Sequence, residues 1–241
     1  MVSTEPFTPV PGRICIAITL SVDAMNTIKK AILITSVLGV FTLAVAAEKL
    51  NLSDFGSGSL SGWESKSFKG ETSYTIVVEN GVSALRAQSN GTASGLGKKV
   101  KIDLEKTPYL NWSWKVDGLL TGIDEQSKSG DDYVARLYVV KSGGALIWKT
   151  RALNYVWSSN QKKEASWPNA YQPKNASMLA VRGVSDQTGE WMYEKRNVKE
   201  DLQRAFGKNF KRVDAIALMT DTDNSGRSAS ALYGDIFFSA E

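Results

Sequence analysis

The 241-residue sequence contains no histidine. That absence removes the Ser-His-Asp triad and the Cys-His pair, because both need imidazole as the base. It also removes the usual nitrogen ligand of zinc, copper and iron sites. Cysteine is nearly as scarce: the single one, Cys15, lies close to the N-terminus. The rest of the chain therefore has no thiol for a disulfide, a nucleophile or an iron–sulfur cluster. A metal bound there would be a hard cation with oxygen ligands, Ca²⁺ or Mg²⁺. An excess of one charge is missing too. The 29 basic and 25 acidic residues leave a formal net charge of +4, and the two signs are interspersed. Nothing in that pattern argues for nucleic acid as a partner.

Long apolar runs are absent but for one. From Met25 the chain reads "MNTIKKAILITSVLGVFTLAVAAEKL". Lys29 and Lys30 form a positive head, Ala31 to Val45 an apolar centre, and Val45-Ala46-Ala47 a small-residue cleavage site before Glu48. This is the layout of an export signal over residues 25–47. The run is shorter than the roughly 20 residues that a membrane span needs, so no stable span is expected after cleavage. No cysteine follows it, which excludes a lipoprotein anchor. Residues 1–24 read as an over-extended gene start ahead of Met25 and are expected to be disordered. The mature chain, residues 48–241, is expected to be one domain in the periplasm or outside the cell.

What is present beyond Glu48 is a series of short β-type runs separated by Gly, Asn, Asp and Ser. Strands are expected at 74–79, 82–88, 110–116, 133–140, 145–149, 152–157, 178–181, 191–196, 213–219 and 232–238. Asn80-Gly81 is the strongest hairpin signal, since both residues tolerate the positive φ of a tight turn. In "LNWSWKVD", Trp112, Trp114 and Val116 alternate with Asn111, Ser113 and Lys115. In "DDYVARLYVV", Tyr133, Ala135, Leu137 and Val139 share one face, with Asp132, Arg136 and Tyr138 on the other. Such alternation fits a sheet with one face on a core. The fold class is therefore all-β, an antiparallel, jelly-roll-like β-sandwich. One short helix is expected in the C-terminal half, in "RNVKEDLQRAFGKNF". Asn197 is its N-cap, Glu200 completes a capping box, and Gly207 is its terminator.

The runs "YLNWSWKVD", "GDDYVARLYVV", "ALNYVWSS", "EWMYEKRNVKEDLQRAFG", "AIALMTDTDNSG" and "ALYGDIFFS" occur in this order. Together they resemble a family of exported bacterial proteins, the domain of unknown function numbered 3047. The resemblance covers nearly all of the mature chain and implies kinship without an activity or cofactor. The opening "LSDFGSGSLSGWE", with "VSALRAQSNGTASGL", is similar in a looser way to jelly-roll carbohydrate-binding modules.

Charged residues within strands are the first candidates for a site. Asp132 and Arg136 lie on one strand or its approach, Arg182 ends another, Glu194 and Arg196 share a face, and Asp235 sits in "YGDIFF". Such groups bind polar ligands through charge-assisted hydrogen bonds or form ion pairs on a solvated face. Aromatics are the second. Tyr155, Trp157, Trp167 and Tyr171 lie in or beside a long polar stretch, where rings stack on ligands or cover the core edge. In "MTDTDNSGRSAS", Asp221, Asp223 and Ser225 alternate as in a calcium loop. Leu232 stands where the bidentate glutamate belongs, which excludes an EF-hand. A simpler Ca²⁺ site at Asp221 and Asp223 is one reading. A polar loop presenting Asp221, Asp223 and Asn224 at the end of a buried strand is the other.

Three functions fit these residues. The first is a non-catalytic envelope domain that binds a carbohydrate or other polar ligand through Asp132, Arg136, Tyr155, Trp157, Arg182, Glu194, Arg196, Asp221, Asp223, Asn224 and Asp235. The second is a carboxylate-dependent glycoside hydrolase using two of Asp132, Glu194, Asp221, Asp223 and Asp235. The third is an envelope assembly protein. The first is the expectation taken forward.

Overall fold

A computed structural model describes residues 48–241. The expectations for residues 1–24, for the export signal at 25–47 and for Cys15 lie outside the described residues. In chain order the elements are β1 (Lys49–Asn51), β2 (Glu64–Lys69), β3 (Ser73–Glu79), β4 (Val82–Asn90), β5 (Ala93–Asp103), β6 (Tyr109–Val116) and β7 (Tyr133–Lys141). There follow β8 (Arg151–Trp157), β9 (Ser166–Pro168), β10 (Ala176–Arg182), β11 (Met192–Asn197), α1 (Val198–Phe206), β12 (Arg212–Asp221), β13 (Ser228–Tyr233) and β14 (Phe237–Ser239).

The strands form two seven-stranded sheets. The front sheet runs β2-β5-β12-β7-β8-β10-β9. In the back sheet β6 is flanked by β11 on one side and by β13 and β14 on the other, with β1, β4 and β3 beyond. Pairing is antiparallel except between β8 and β10, which are parallel. The two sheets bury a shared apolar core, to which Leu137, Val139, Ile216 and Leu218 contribute from the front and Leu85, Trp112, Trp114 and Phe238 from the back. Aromatic pairs tie the layers. Trp112 stacks on Tyr155 at 5.3 Å, and Trp114 packs on Trp157 at 5.9 Å. Both sheets, the core between them and α1 lie within the described residues 48–241.

Local chemistry accounts for the elements. Asn80 and Gly81 both have positive φ, 51° and 80°, and close the β3–β4 hairpin. The Asn197 side chain accepts the Glu200 amide, and Gly207 ends α1 with φ 65°. Two strand expectations fail. Residues 145–149 form a loop ending in a 3₁₀ turn, because Gly143 and Gly144 break the alternation and the chain folds back on itself. Residues 232–238 are split into β13 and β14 by a break at 234–236. Strands β1, β2, β5 and β9 carry too little apolar alternation to be read from sequence.

Candidate functional site

The chemistry gathers on the outer face of the front sheet. Its origin is a bulge in β7. Arg136 pairs with Met219 and Tyr133 with Asp221, so three steps on β7 meet two on β12. The extra residue turns Tyr133 away from Ala135, Leu137 and Val139 and puts it on the same side as Arg136. Tyr133 joins a second apolar cluster with Val156, Trp167, Met178 and Ala180, not the core face that strict alternation assigns it. The Arg136 guanidinium lies 4.2 Å over the Tyr133 ring.

Arg136 is buried, and its Nη2 donates to Asp221 Oδ2 at 2.7 Å and to the Asp131 carbonyl at 3.1 Å. Its Nη1 donates to the Tyr138 hydroxyl at 2.8 Å. Burial works against the Arg136 charge, but Asp221, Tyr138 and Asp131 outweigh it and hold the guanidinium pKa well above its ordinary value. Burial pushes the Asp221 carboxyl up to about 8, with Arg136 pulling it down. Burial likewise raises Asp131 and Glu125. Asp132 accepts the amides of Asn224 and Ser225 at 3.1 and 2.7 Å and so fixes the loop after β12. Carboxylate oxygens of Asp132, Asp221 and Asp223 lie within 4.8 Å of one another. A Ca²⁺ placed there would sit beside the Arg136 guanidinium and share oxygens that already hold Arg136 and two loop amides. The donor set is thus largely committed to protein partners.

This cluster closes one end of a trough. The floor is made of small residues, among them Gly95, Gly97, Ala215, Ala217 and Ala152, with Met219 and Tyr138 at its centre. Phe68 of β2 lies over Gly95, and a Cβ on that glycine would meet the ring at 3.9 Å and the Leu218 carbonyl at 3.5 Å. The trough has two joined hollows of about 290 and 450 Å³, which share Phe68, Tyr138 and Met219. Tyr171 walls the second hollow. Its hydroxyl accepts from Asn224 Nδ2 at 2.7 Å and donates to the Lys128 carbonyl at 3.0 Å. Phe68 is 64 % exposed and Tyr171 47 %. Two polar atoms on residues lining the second hollow, Arg136 Nε and Asn154 Oδ1, are buried without a hydrogen-bond partner in the protein.

Of the residues singled out from sequence, Asp132, Arg136, Tyr171, Asp221, Asp223 and Asn224 come together here. Tyr155, Trp157, Trp167, Arg182, Glu194, Arg196 and Asp235 do not. Tyr155 and Trp157 were placed beside a ligand-facing stretch, but both lie on β8 and are buried in the core. The Tyr155 hydroxyl donates to Asp201 at 2.8 Å. Trp167 is buried in the second apolar cluster. Arg182 and Glu194 pair at 2.5 Å beside the Trp114 indole N–H, remote in their partners from the trough. Arg196 binds Asp201 and Glu164. Asp235 accepts the Phe55 amide at 2.7 Å and orders the turn after β1. The aromatic missed by sequence reasoning is Phe68. Its signal was an isolated ring in the polar run "SKSFKG", followed downstream by the small-residue "SGLG" that makes room beneath it.

No helix among the described residues is long and apolar enough to cross a membrane. No curated protein matches the sequence. Solved structures resemble the fold at low identity. A family 11 carbohydrate-binding module from Clostridium thermocellum, in complex with a β-1,3-1,4-mixed-linked tetrasaccharide, is 13% identical over 80% of this chain and 96% of that one, with a TM-score of 0.45. A family 30 module from a cellulosomal cellulase of the same organism is 13% identical, with 80% and 98% covered and a TM-score of 0.46. Endoglucanase Cel12A from Rhodothermus marinus is 11% identical, with 80% and 99% covered and a TM-score of 0.43. The family assignment comes from the sequence. Residues 61–237, which hold every strand that builds the trough, match the family described as Protein of unknown function (DUF3047), and the chain belongs to that family.

Proposed function

We propose that this domain binds a carbohydrate chain, without cleaving it, along the trough on the outer face of the front sheet. The observation that carries the reading is the shape of the trough, a small-residue floor flanked by the exposed rings of Phe68 and Tyr171. Phe68, Tyr138 and Tyr171 offer flat apolar faces to the C–H faces of pyranose rings, and the small-residue floor leaves room for a chain to lie across the strands. The leader-like run at 25–47 supports an envelope or extracellular location for such a domain.

The test is a glycan array followed by calorimetry on residues 48–241. A glycan that binds should lose about tenfold in affinity with Phe68→Ala and again with Tyr171→Ala. Unchanged affinity in both variants sinks the trough as its site.

A second reading has one specific observation behind it. Asp221 and Asp223 line the same hollow. Two carboxyl groups facing one cleft are what glycoside hydrolysis needs. Release of reducing ends by the wild-type domain, abolished in Asp223→Asn, would favour hydrolysis over plain binding.

A further inference from the structure

A second feature lies apart from the trough. The loop between β7 and β8 holds three consecutive apolar side chains in solvent: Leu146 is 37 % exposed, Ile147 76 % and Trp148 66 %. The loop is not slack. Leu146 N donates to the Gly143 carbonyl at 3.1 Å, Lys149 N to Leu146 at 2.8 Å and Thr150 N to Ile147 at 2.9 Å. The Gly143 amide donates to the Thr150 hydroxyl at 3.1 Å. A backbone tied this tightly presents the apolar tip at a fixed place, against the hydration cost of leaving it in water.

Basic residues outnumber acidic ones around the tip, and Asp214 at the base of the loop is taken up by Lys141 and the Ser142 amide. Between Asp132 and Asp186 the sequence has one acidic residue, Glu164, and Glu164 pairs with Arg196. Lys149 is exposed beside Trp148. Arg151 donates to the Trp148 carbonyl at 3.2 Å and also lines a cleft of about 420 Å³ with Lys174, Arg204 and Lys208. No acidic side chain lines that cleft. The Arg151 side chain therefore joins the apolar tip to a basic hollow in which Arg151, Lys174 and Lys208 stand with Arg204, itself paired with Asp201.

We propose that the 142–150 loop and the adjoining basic cleft seat the domain on an anionic lipid surface. The tip enters the interface, with Trp148 at headgroup depth, and the cleft takes a lipid phosphate. Two features favour lipid over a sugar or a protein groove. Leu146 and Ile147 have no flat face for a sugar ring. Three projecting apolar side chains on a narrow turn form a wedge, not the broad patch a stable protein interface needs. The occupant differs from the trough's, so neither reading depends on the other.

The experiment is co-sedimentation of residues 48–241 with phosphatidylcholine vesicles, with and without phosphatidylglycerol. Binding should require phosphatidylglycerol and weaken at high salt. The double variants Ile147→Ser/Trp148→Ser and Lys174→Ser/Lys208→Ser should each weaken it about tenfold, with unchanged circular dichroism because all four residues are exposed. Phe68→Ala should leave vesicle binding intact. The proposal is overturned if the domain ignores anionic vesicles, or if the Ile147→Ser/Trp148→Ser variant binds them as the parent does. It is also overturned if inorganic phosphate or a soluble polyanion binds while vesicles do not, which would leave an anion cleft without a membrane.

Discussion

At the scale of single residues, the Arg136–Asp221 pair decides most. Both side chains are about 4 % exposed and lie 2.7 Å apart. Removing Arg136 leaves the buried Asp221 side chain, the Asp131 carbonyl and the Tyr138 hydroxyl without their shared donor, so Arg136→Met should cost about 3–5 kcal/mol in urea unfolding. The pH dependence has a definite sign. An acid whose pKa is higher in the folded state stabilises the fold fully below its unfolded value and loses that contribution as pH rises through the folded one. Asp221, raised to about 8, and the raised Asp131 and Glu125 all belong to this class. The urea midpoint should therefore fall between about pH 4 and pH 8, and the fall should extend to higher pH in Arg136→Met, where nothing pulls Asp221 down. Glu79, lowered by its hydrogen bond from Lys115, runs the other way, but its contribution is lost only as pH falls below the ordinary carboxylate range. Asp132, Arg136, Asp221, Asp223 and Asn224 were legible as single candidates because polar groups in or beside apolar strands are conspicuous, but the same signal marked Arg182, Glu194, Arg196 and Asp235, which lie elsewhere. Trp157 was not, because a ring beside a polar stretch looks the same in sequence whether it faces solvent or the opposite sheet. Its burial makes Trp157→Ala a stability variant, expected to cost about 3–5 kcal/mol.

At the scale of elements, local signals were reliable where one residue type answers one backbone demand. Asn80-Gly81 and the Asn197/Gly207 caps are of this kind. Gly81→Ala, at φ 80°, should cost about 1–2 kcal/mol, and Asn197→Ala about 1 kcal/mol. Both are measurable as shifts in the denaturant midpoint at constant slope. The strand β2 escaped notice because "ESKSFK" is exposed along its whole length, and an edge strand needs no apolar face to pair. The Tyr133 reversal escaped because a bulge leaves no mark in residue type. It is set by the pairing partner, Asp221, 88 positions away. The trough inherits both omissions: one wall stands on β2 and one end on the bulge.

At the scale of the whole molecule, two layers with cross-sheet aromatic pairs behave as one cooperative body. Residues 48–241 should unfold in a single transition, with tryptophan fluorescence and far-UV circular dichroism giving the same midpoint. Separate transitions would mean that the sheets do not depend on their shared core. The sandwich itself was readable from alternation, but the order of strands was not, since it depends on which edges find one another. The β8–β10 junction is the clearest instance. Its strands run the same way, so the segment 158–175 must leave β8, lay down β9 and return before β10 can slot between them. Hydrogen bonds on both sides of β10 thus wait on that excursion. A cut within that excursion would therefore loosen both ladders of β10 at once.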